Sequence, residues 1–349
     1  MEWEISDQDI ESTEKLLLPE GAHFPEDARS VIRCWHSADV SACPGSGKTT
    51  VLLAKLKLLV DRMPLENGAG ICVLSHTNVA VDEIKKRLSG YADKLLSYPN
   101  YIGTIQSFVD KFVTMPYLRN LVGRNVQAVD DLTYAQHMLN RMQNSAKYRA
   151  LDFVTKNSFE TGGQFTERLE HIQALYVRDD GSLCVGKQKR ALAGADKHSA
   201  KQYNALIADL LKYEGIMRYQ DAYSYAKTAV DALTGTYIEL FSLRFQYVFI
   251  DEYQDCDSIQ RQALAAIFNS TKCTVIKIGD SDQAIYNSSE DKTPDWVPQD
   301  GFLPILTSCR YSQEIADVIC KLKKDNKNLR VRLVLKRYYL FLTLKKSTE

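Results

Sequence analysis

Cysteine is scarce and unpatterned in this chain: eight residues in 349, with no Cys-x-x-Cys pair and no Cys/His cluster at zinc-ligand spacing. That excludes a disulfide scaffold and a structural zinc site, and makes reduced thiols in a cytoplasmic protein the expectation. Apolar runs long enough to span a membrane are missing. The N-terminal stretch MEWEISDQDIESTEKLLLPEG is acidic and lacks the basic-then-apolar order of a secretory signal. There is no internal repeat and no long low-complexity segment. Net charge is absent too, since 44 Lys and Arg balance 44 Asp and Glu. The balance hides an asymmetry: from Lys321 onward ten basic residues face only Asp325 and Glu349, so the remainder is acidic. A nucleic-acid protein usually shows a basic face, and here any strand-binding groove has to be a local patch.

The length suits two domains, or one domain carrying a large insertion. Residues 1–38 read as a polar lead-in with an amphipathic piece around Ala28–Trp35. Asp39–Ala42 has the character of a strand end, and Thr49–Asp61 carries the apolar face of a buried helix. The run GICVLSH is of strand length, and Asn78–Leu88 follows with helical spacing and Thr77 or Asn78 as its N-cap. Tyr101–Val113 reads as strand, tight turn and helix. Between about Met115 and Val230 the composition turns polar and helical patterns recur, with a looser piece at Val177–Ser199. At Phe245 strand chemistry returns in QYVFIDE and CTVIKIGD, two apolar runs that end in acids. Strands alternating with helices imply a parallel sheet covered on both faces. The expected division is 1–114 and 234–307 for the α/β domain, 115–233 for a mostly helical insertion, and 308–349 for a remnant and basic tail.

Three segments carry chemistry. In ACPGSGKTT, Gly45 and Gly47 permit a tight bend whose backbone N–H groups converge on an anion, and a helix starting there adds its positive dipole end. Lys48 would reach terminal phosphates and the Thr49 hydroxyl a magnesium ion. The first glycine of the G-x-x-x-x-G-K-[ST] pattern is Ala42 here. A flexible Gly-Ser turn would also be glycine-rich, but strand, loop and helix follow in the order phosphate binding requires. After the strand YVFI come Asp251 and Glu252, an acid to hold Mg²⁺ and a neighbour to activate water. Two acids in a solvated loop would look the same in isolation; the pairing with a phosphate loop favours the site. VIKIGDSDQ closes another strand with Asp280, Asp282 and Gln283, whose amide can sense a γ-phosphate.

Taken in order, these segments resemble the UvrD/Rep-like superfamily 1 helicases. ACPGSGKTT is similar to the family's phosphate loop, SHTNVAVDEIKKRL to its Ia segment, GTIQSF to Ib, DEYQD to the D-E-x-Q-D box, GDSDQAIY to the third box, and LTSCRYSQEIADVI to the opening of the second motor domain. The resemblance implies a P-loop NTPase (RecA-like) domain with an inserted 1B-like domain, using ATP and Mg²⁺. It implies nucleotide contacts from Pro44, Gly45, Ser46, Gly47, Lys48, Thr49, Thr50, Gln283 and Arg310. Thr49 and Asp251 would hold the metal, Glu252 would be the base, and Arg310 an arginine finger. The Ia and Ib segments imply single-stranded DNA contacts at His76, Thr77, Asn78, Thr104 and Gln106. His76 falls where a stacking aromatic is common, and a strand-end residue in a polar loop is the plainer alternative. For Gln106 a helix-start role competes.

The departures are specific. FPEDARSVIRCWHSADV has no clear match to the adenine-reading glutamine. Cys309 replaces the aromatic before the finger arginine, with Tyr311 on its other side. The W-R-G-A that follows the third box is absent, and Trp296 is off its spacing. About forty residues follow PILTSCRYS, too few for a second RecA-like domain, so that domain is expected to be essentially missing. In the tail, basic residues interleave with aromatics (Lys336, Arg337, Tyr338, Tyr339), which could touch nucleic acid. With one arginine finger at most, worth roughly a thousand-fold in turnover, hydrolysis in isolation should be slow. The layout resembles the helicase-like subunit of Gabija-type anti-phage systems, which pairs with an OLD-like nuclease. Three readings follow: a helicase-like ATPase working in a complex, a degenerate motor kept as a non-catalytic adaptor, and a fragment of a full-length translocase.

Overall fold

The computed structural model describes residues 4–157, 165–178, 180–186, 190–269, 272–280, 283, 296–308, 310, 312–322 and 330–331. The chain forms two compact units. The described residues of Met1–Ile105, Thr236–Ser258 and Ile267–Glu349 make the first, and Gln106–Gly235 with Ile259–Ala266 makes the second.

The first unit opens with helices α1 (Asp7–Leu17) and α2 (Glu26–Arg33), strand β1 (Ala38–Ala42) and helix α3 (Lys48–Asp61). Strand β2 (Gly70–Ser75), helices α4 (Asn78–Arg87) and α5 (Ala92–Leu96) and strand β3 (Tyr101–Thr104) follow. Helix α3 is apolar nearly all round, so it is buried on every side, from Val51 to Val60. Two lysines sit within that buried run, and each has a reason to be there. Lys57 donates to Asp61 at 2.5 Å and to the Ser12 hydroxyl at 3.0 Å, tying α1 to α3. The Lys55 ammonium, fully buried, donates to the carbonyls of Val31 (2.9 Å), Ile32 (3.3 Å) and Cys34. They lie at the C-terminal end of α2, where carbonyls run out of intrahelical donors, and Lys55 caps them from outside the helix, the Val31 carbonyl also accepting the Cys34 N–H at 3.2 Å. Its ammonium also lies 4.1 Å from the Trp35 ring centre.

The lead-in is therefore part of the core and not a polar appendage. Ile5, Ile10, Phe24, Ala28, Val31 and Ile32 all belong to the same apolar cluster as the sheet. Ser6 and Asp9 form a capping box at the start of α1. Buried Glu14 accepts from His23 Nδ1 (2.6 Å), the Phe24 N–H (2.8 Å) and Arg29 (2.9 Å), which folds the α1–α2 connection onto itself. At the start of α2, Asp27 accepts from the N–H groups of Leu306 and Thr307 at 2.8 and 2.9 Å.

The second unit holds helix α6 (Ile105–Val109) from Gln106 onward, α7 (Met115–Val122), strand β4 (Ala128–Val129), and helices α8 (Asp131–Asn144), α9 (Arg149–Asn157) and α10 (Phe165–Gln173). Strands β5 (Leu175–Val177), β6 (Leu183–Val185) and β7 (Arg190–Ala193) then form a small antiparallel sheet. The segment that reads as loose in the sequence thus contains short strands. Helix α11 (His198–Asp209), strand β8 (Ile216–Met217), paired with β4, and helix α12 (Tyr219–Asp231) complete it. Its core gathers Tyr134, Met138, Leu139, Tyr148, Leu151 and Tyr203 among others. Buried Arg218 grips Asp221 and the Leu175 carbonyl while stacking on the Tyr134 ring.

Helix α13 (Gly235–Arg244) and strand β9 (Phe245–Ile250) return the chain to the first unit; α14 (Ser258–Phe268) follows, its residues Ile259–Ala266 counted with the second unit, and then β10 (Thr274–Gly279), β11 (Leu303–Ile305), β12 (Thr307–Ser308), α15 (Gln313–Leu322) and β13 (Arg330–Val331) in the first. The central sheet runs β11-β1-β10-β9-β2-β3 and every pairing in it is parallel. Strand β2 is buried along its whole length, as a central parallel strand must be. The register sets Ser41 beside Gly279, Lys277 beside Ile250 and Ile250 beside Leu74. The carboxyl ends of β1, β10, β9 and β2 therefore lie along one edge, where open α/β sheets bind ligands. The pair β12–β13 is parallel and separate from this sheet.

Among the described residues no helix is long and apolar enough to cross a membrane. The described cysteines, Cys34, Cys43, Cys72, Cys184, Cys256 and Cys273, are all buried.

Candidate active site

The loop after β1 turns at Cys43–Ser46, where the Ser46 N–H reaches the Cys43 carbonyl at 3.2 Å, and the Cys43 N–H is held by Ile305 O at 3.0 Å. Gly45 (φ 73°) and Gly47 (φ 83°) both occupy the left-handed region that other residues avoid. Gly45 is doubly constrained. A Cβ there would stand 2.6 Å from the Arg310 Cβ and 2.9 Å from the Ser308 Oγ. Gly47 is the N-cap of α3, so the helix begins at Lys48 with its first N–H groups unpaired within the helix. Pro44 completes the bend, Thr49 lies in the first turn, and the Thr50 hydroxyl accepts from Arg87 at 3.2 Å. The Ser46 hydroxyl is buried in the loop without a hydrogen-bond partner among the described residues. A buried orphan hydroxyl carries a cost that a ligand's acceptor would relieve.

At the tip of β9 the two carboxylates differ sharply. Asp251 is 1% exposed, its N–H donating to Leu74 O at 2.8 Å. Burial, together with the charge of Glu252, pushes its carboxyl up to about 7. Glu252 moves the other way. Burial raises it, but the Lys48 ammonium and the Gln254 amide outweigh that and hold it below the ordinary range. The reason is contact: Lys48 Nζ lies 2.8 Å from Glu252 Oε2, across 204 positions of sequence. Glu252 also sits in the left-handed region (φ 52°, ψ 43°), a conformation costing about 1–3 kcal/mol that surrounding contacts must impose.

The tip of β10 continues the line. Asp280 is buried, and Gln283 donates to its carboxylate at 2.5 Å. Gln254, in the short turn Tyr253–Asp255, donates to Glu252 Oε2 at 2.8 Å and accepts from the Asp280 N–H at 2.9 Å. Sequence reasoning passed over Gln254, because nothing in the letters marks a buried amide that spans two strand tips. Trp296 is buried against Gly279 and meets Tyr253 edge-on at 5.6 Å, so it is a packing residue here.

The edge therefore brings together Lys48 and Glu252, Glu252 and Asp280 through Gln254, and Gly45 with Arg310. Arg310 itself is exposed, its N–H bound to the Ser308 Oγ at 3.3 Å. His76, half-buried just past β2, lies close enough to Glu252 to help lower it. Thr77 caps α4 by accepting from the Ala80 N–H at 3.3 Å, and Asn78 is the exposed first residue of that helix. Thr104 is buried at the end of β3. Gln106 belongs to the second unit, where its amide donates to Asp110 at 3.0 Å. Asp282, Cys309, Tyr311 and the run Lys336–Tyr339 lie outside the described residues.

The model of the UvrD/REP helicase N-terminal domain matches residues 26–288, three quarters of the chain. The chain belongs to the UvrD/REP helicase family. A probable DNA helicase II homolog of Rickettsia conorii is 23% identical over 273 residues, covering 75% of this chain and 38% of that protein. The Gabija protein GajB of Bacillus cereus is 25% identical over 248 residues, 71% of this chain and 37% of its own. The ATP-dependent DNA helicase PcrA of Staphylococcus epidermidis is 22% identical over 247 residues, 71% and 31%. The chain thus spans about a third of the length of these relatives, between 31% and 38%.

Members of such a family use ATP and Mg²⁺, and the residues present fit both. The loop offers unpaired N–H groups at a helix start, a lysine and an orphan hydroxyl. The groups that would hold the metal, the Thr49 hydroxyl and the Asp251 carboxylate, offer oxygens, as magnesium prefers. Among the described residues no group of three or more His, Cys, Asp or Glu gathers to hold a metal. Magnesium needs none, because water and phosphate oxygens fill most of its shell.

Proposed function

We propose that this UvrD/REP-type chain binds and hydrolyses ATP at the edge formed by β1, β10 and β9, and that single-stranded DNA engages the same unit. The contact between Lys48 and Glu252 carries the proposal: a lysine at a helix start and an acid at a strand tip, remote in sequence, share one cleft. Lys48 reaches the terminal phosphates, and the α3 N-terminus with the loop N–H groups neutralises their charge. Thr49 and Asp251 would hold Mg²⁺, which when bound would supply charge neutralisation for the phosphates. Glu252 takes the proton of the attacking water, Gln283 contacts the γ-phosphate and Arg310 stabilises the charge that develops there.

His76, Thr77, Asn78 and Thr104 are the proposed DNA contacts of this unit, and Gln106 is a separate proposed contact in the second unit. His76 would stack on a base and Thr77 and Asn78, exposed at the start of α4, would meet phosphate. The likeness to GajB supports a place in an anti-phage defence complex in the cytoplasm. A partner of the OLD-like nuclease kind rests on the resemblance in layout alone.

The test is ATP turnover of the full chain with and without single-stranded DNA, beside Lys48→Ala and Glu252→Gln. Turnover that both substitutions abolish, with nucleotide binding kept only by Glu252→Gln, is the expected result. Nucleotide binding without turnover, unchanged by Glu252→Gln, would replace the enzyme by a non-catalytic adaptor.

A further inference from the structure

We infer that Gln254 is the positioning residue of the base: it holds the Glu252 carboxylate against the tip of β10 and links it to the Asp280–Gln283 turn. The inference rests on the ATPase reading of the site given above. Gln254 is 2% exposed, so its amide has little water to fall back on and must find partners in the protein. It uses both ends. Nε2 donates to Glu252 Oε2 at 2.8 Å and, more weakly, to Asp255 Oδ2 at 3.3 Å, while Oε1 accepts from the Asp280 N–H at 2.9 Å. A reversed amide would set an oxygen against a carboxylate and an NH₂ group against an N–H, so the partners themselves fix its orientation. The slot is tight as well. A Cβ on Gly279 would stand 2.7 Å from Gln254 Oε1 and 2.6 Å from Trp296 Cζ3, so the glycine makes the room that the amide occupies.

Two further observations make this more than a structural tie. Glu252 is in the left-handed region, so its backbone does not by itself define where the carboxylate points. Lys48 and Gln254 both donate to the same oxygen, Oε2. In the proposed reaction Lys48 serves the phosphates, and a carboxylate bound to an ammonium is a poor base. Gln254 is then the donor that stays, keeping the carboxylate aimed once Lys48 has left it. On the far side Gln254 fixes the Asp280 N–H, and the Asp280 carboxylate holds the Gln283 amide at 2.5 Å. The base and the residue proposed to contact the γ-phosphate are thus joined by consecutive hydrogen bonds across β9 and β10.

The experiment compares the full wild-type chain with Gln254→Met, which keeps length and loses both hydrogen bonds, and Gln254→Asn, which keeps an amide one methylene too short to span both partners. In nucleotide-free protein, hydrogen exchange at the Asp280 amide should quicken at least tenfold in Gln254→Met, with β1 and β2 unchanged. With MgATP, kcat should fall roughly tenfold to a hundredfold, as for a misplaced catalytic group. KM, and Kd for a fluorescent ATP analogue, should stay within twofold. A kcat within twofold of wild type, or a Kd that loosens in step with kcat, overturns the inference; should Gln254→Met not fold, Gln254→Asn carries the same criteria. If wild type turns over ATP and Glu252→Gln abolishes it while the Gln254 variants do not, this inference alone fails. If wild type neither binds nor hydrolyses MgATP, the ATPase reading fails with it.

Discussion

A single methyl group at position 45 would meet two obstacles, a left-handed backbone (φ 73°) and the Arg310 Cβ at 2.6 Å. Gly45→Ala should therefore loosen MgATP binding at least tenfold, read by titration of a fluorescent analogue, and cost about 1–2 kcal/mol in denaturant unfolding from the backbone alone. Lys55 makes the opposite point, a polar group that packing requires. Burial lowers its ammonium from 10.5 to about 7. Lys55→Met removes the donor that the Val31, Ile32 and Cys34 carbonyls share and should cost about 2–3 kcal/mol near pH 7. Between pH 7 and 10.5 the unfolded chain keeps a proton that the folded one has released, so the wild type gains stability with rising pH. The gap to Lys55→Met should widen across that window, measured by urea unfolding at successive pH values. At this scale the sequence disclosed the residues whose type announces chemistry, Lys48, Asp251 and Glu252. Gln254 and Lys55 were not legible, because their roles depend on burial and on partners distant in the chain.

At the level of elements, apolar runs that end in acids gave away β9 and β10, and the glycine-rich bend gave away the start of α3. Helix α1 was missed as a core element. Its apolar positions are few among acids, and its hold on the fold runs through polar groups: the Ser6–Asp9 box, Lys57 to Ser12, and Glu14. The strands β5 to β7 were missed because three or four residues in a polar stretch carry too little periodicity to register. Glu14 offers the test for α1. Burial raises its carboxyl, but hydrogen bonds from His23, the Phe24 N–H and Arg29 outweigh that and leave it lowered. Its contribution is present above the ordinary carboxylate range and is lost as pH falls through the lowered value. Glu14→Ala should cost about 3 kcal/mol at pH 7, since Arg29 and the Phe24 N–H lose a buried partner. The deficit should shrink in acid, where the wild-type carboxyl is itself protonated.

For the whole molecule, the parallel sheet and the polar insertion follow from alternation and composition, whereas the order β11-β1-β10-β9-β2-β3 becomes visible only in three dimensions. Single-stranded DNA should raise ATP turnover of the full chain, and the stimulation should weaken steeply with salt as counterion release demands. Replacing Asn78, exposed at the start of α4, by Ala should reduce that stimulation while leaving DNA-free turnover within twofold, measured with a phosphate-release assay. Turnover indifferent to DNA at every salt concentration would remove the strand from the proposal and leave the nucleotide site standing. Arg310 bears on how such a molecule would move. Asp27 pins the chain at Leu306 and Thr307, and three residues later the Arg310 Cβ rests on Gly45 with no space for a methyl group between. The two contacts lie close together in the chain, so a shift of Arg310 toward the loop meets the Gly45 backbone at once, and the finger and the loop of the proposed site are joined by packing before any ligand joins them.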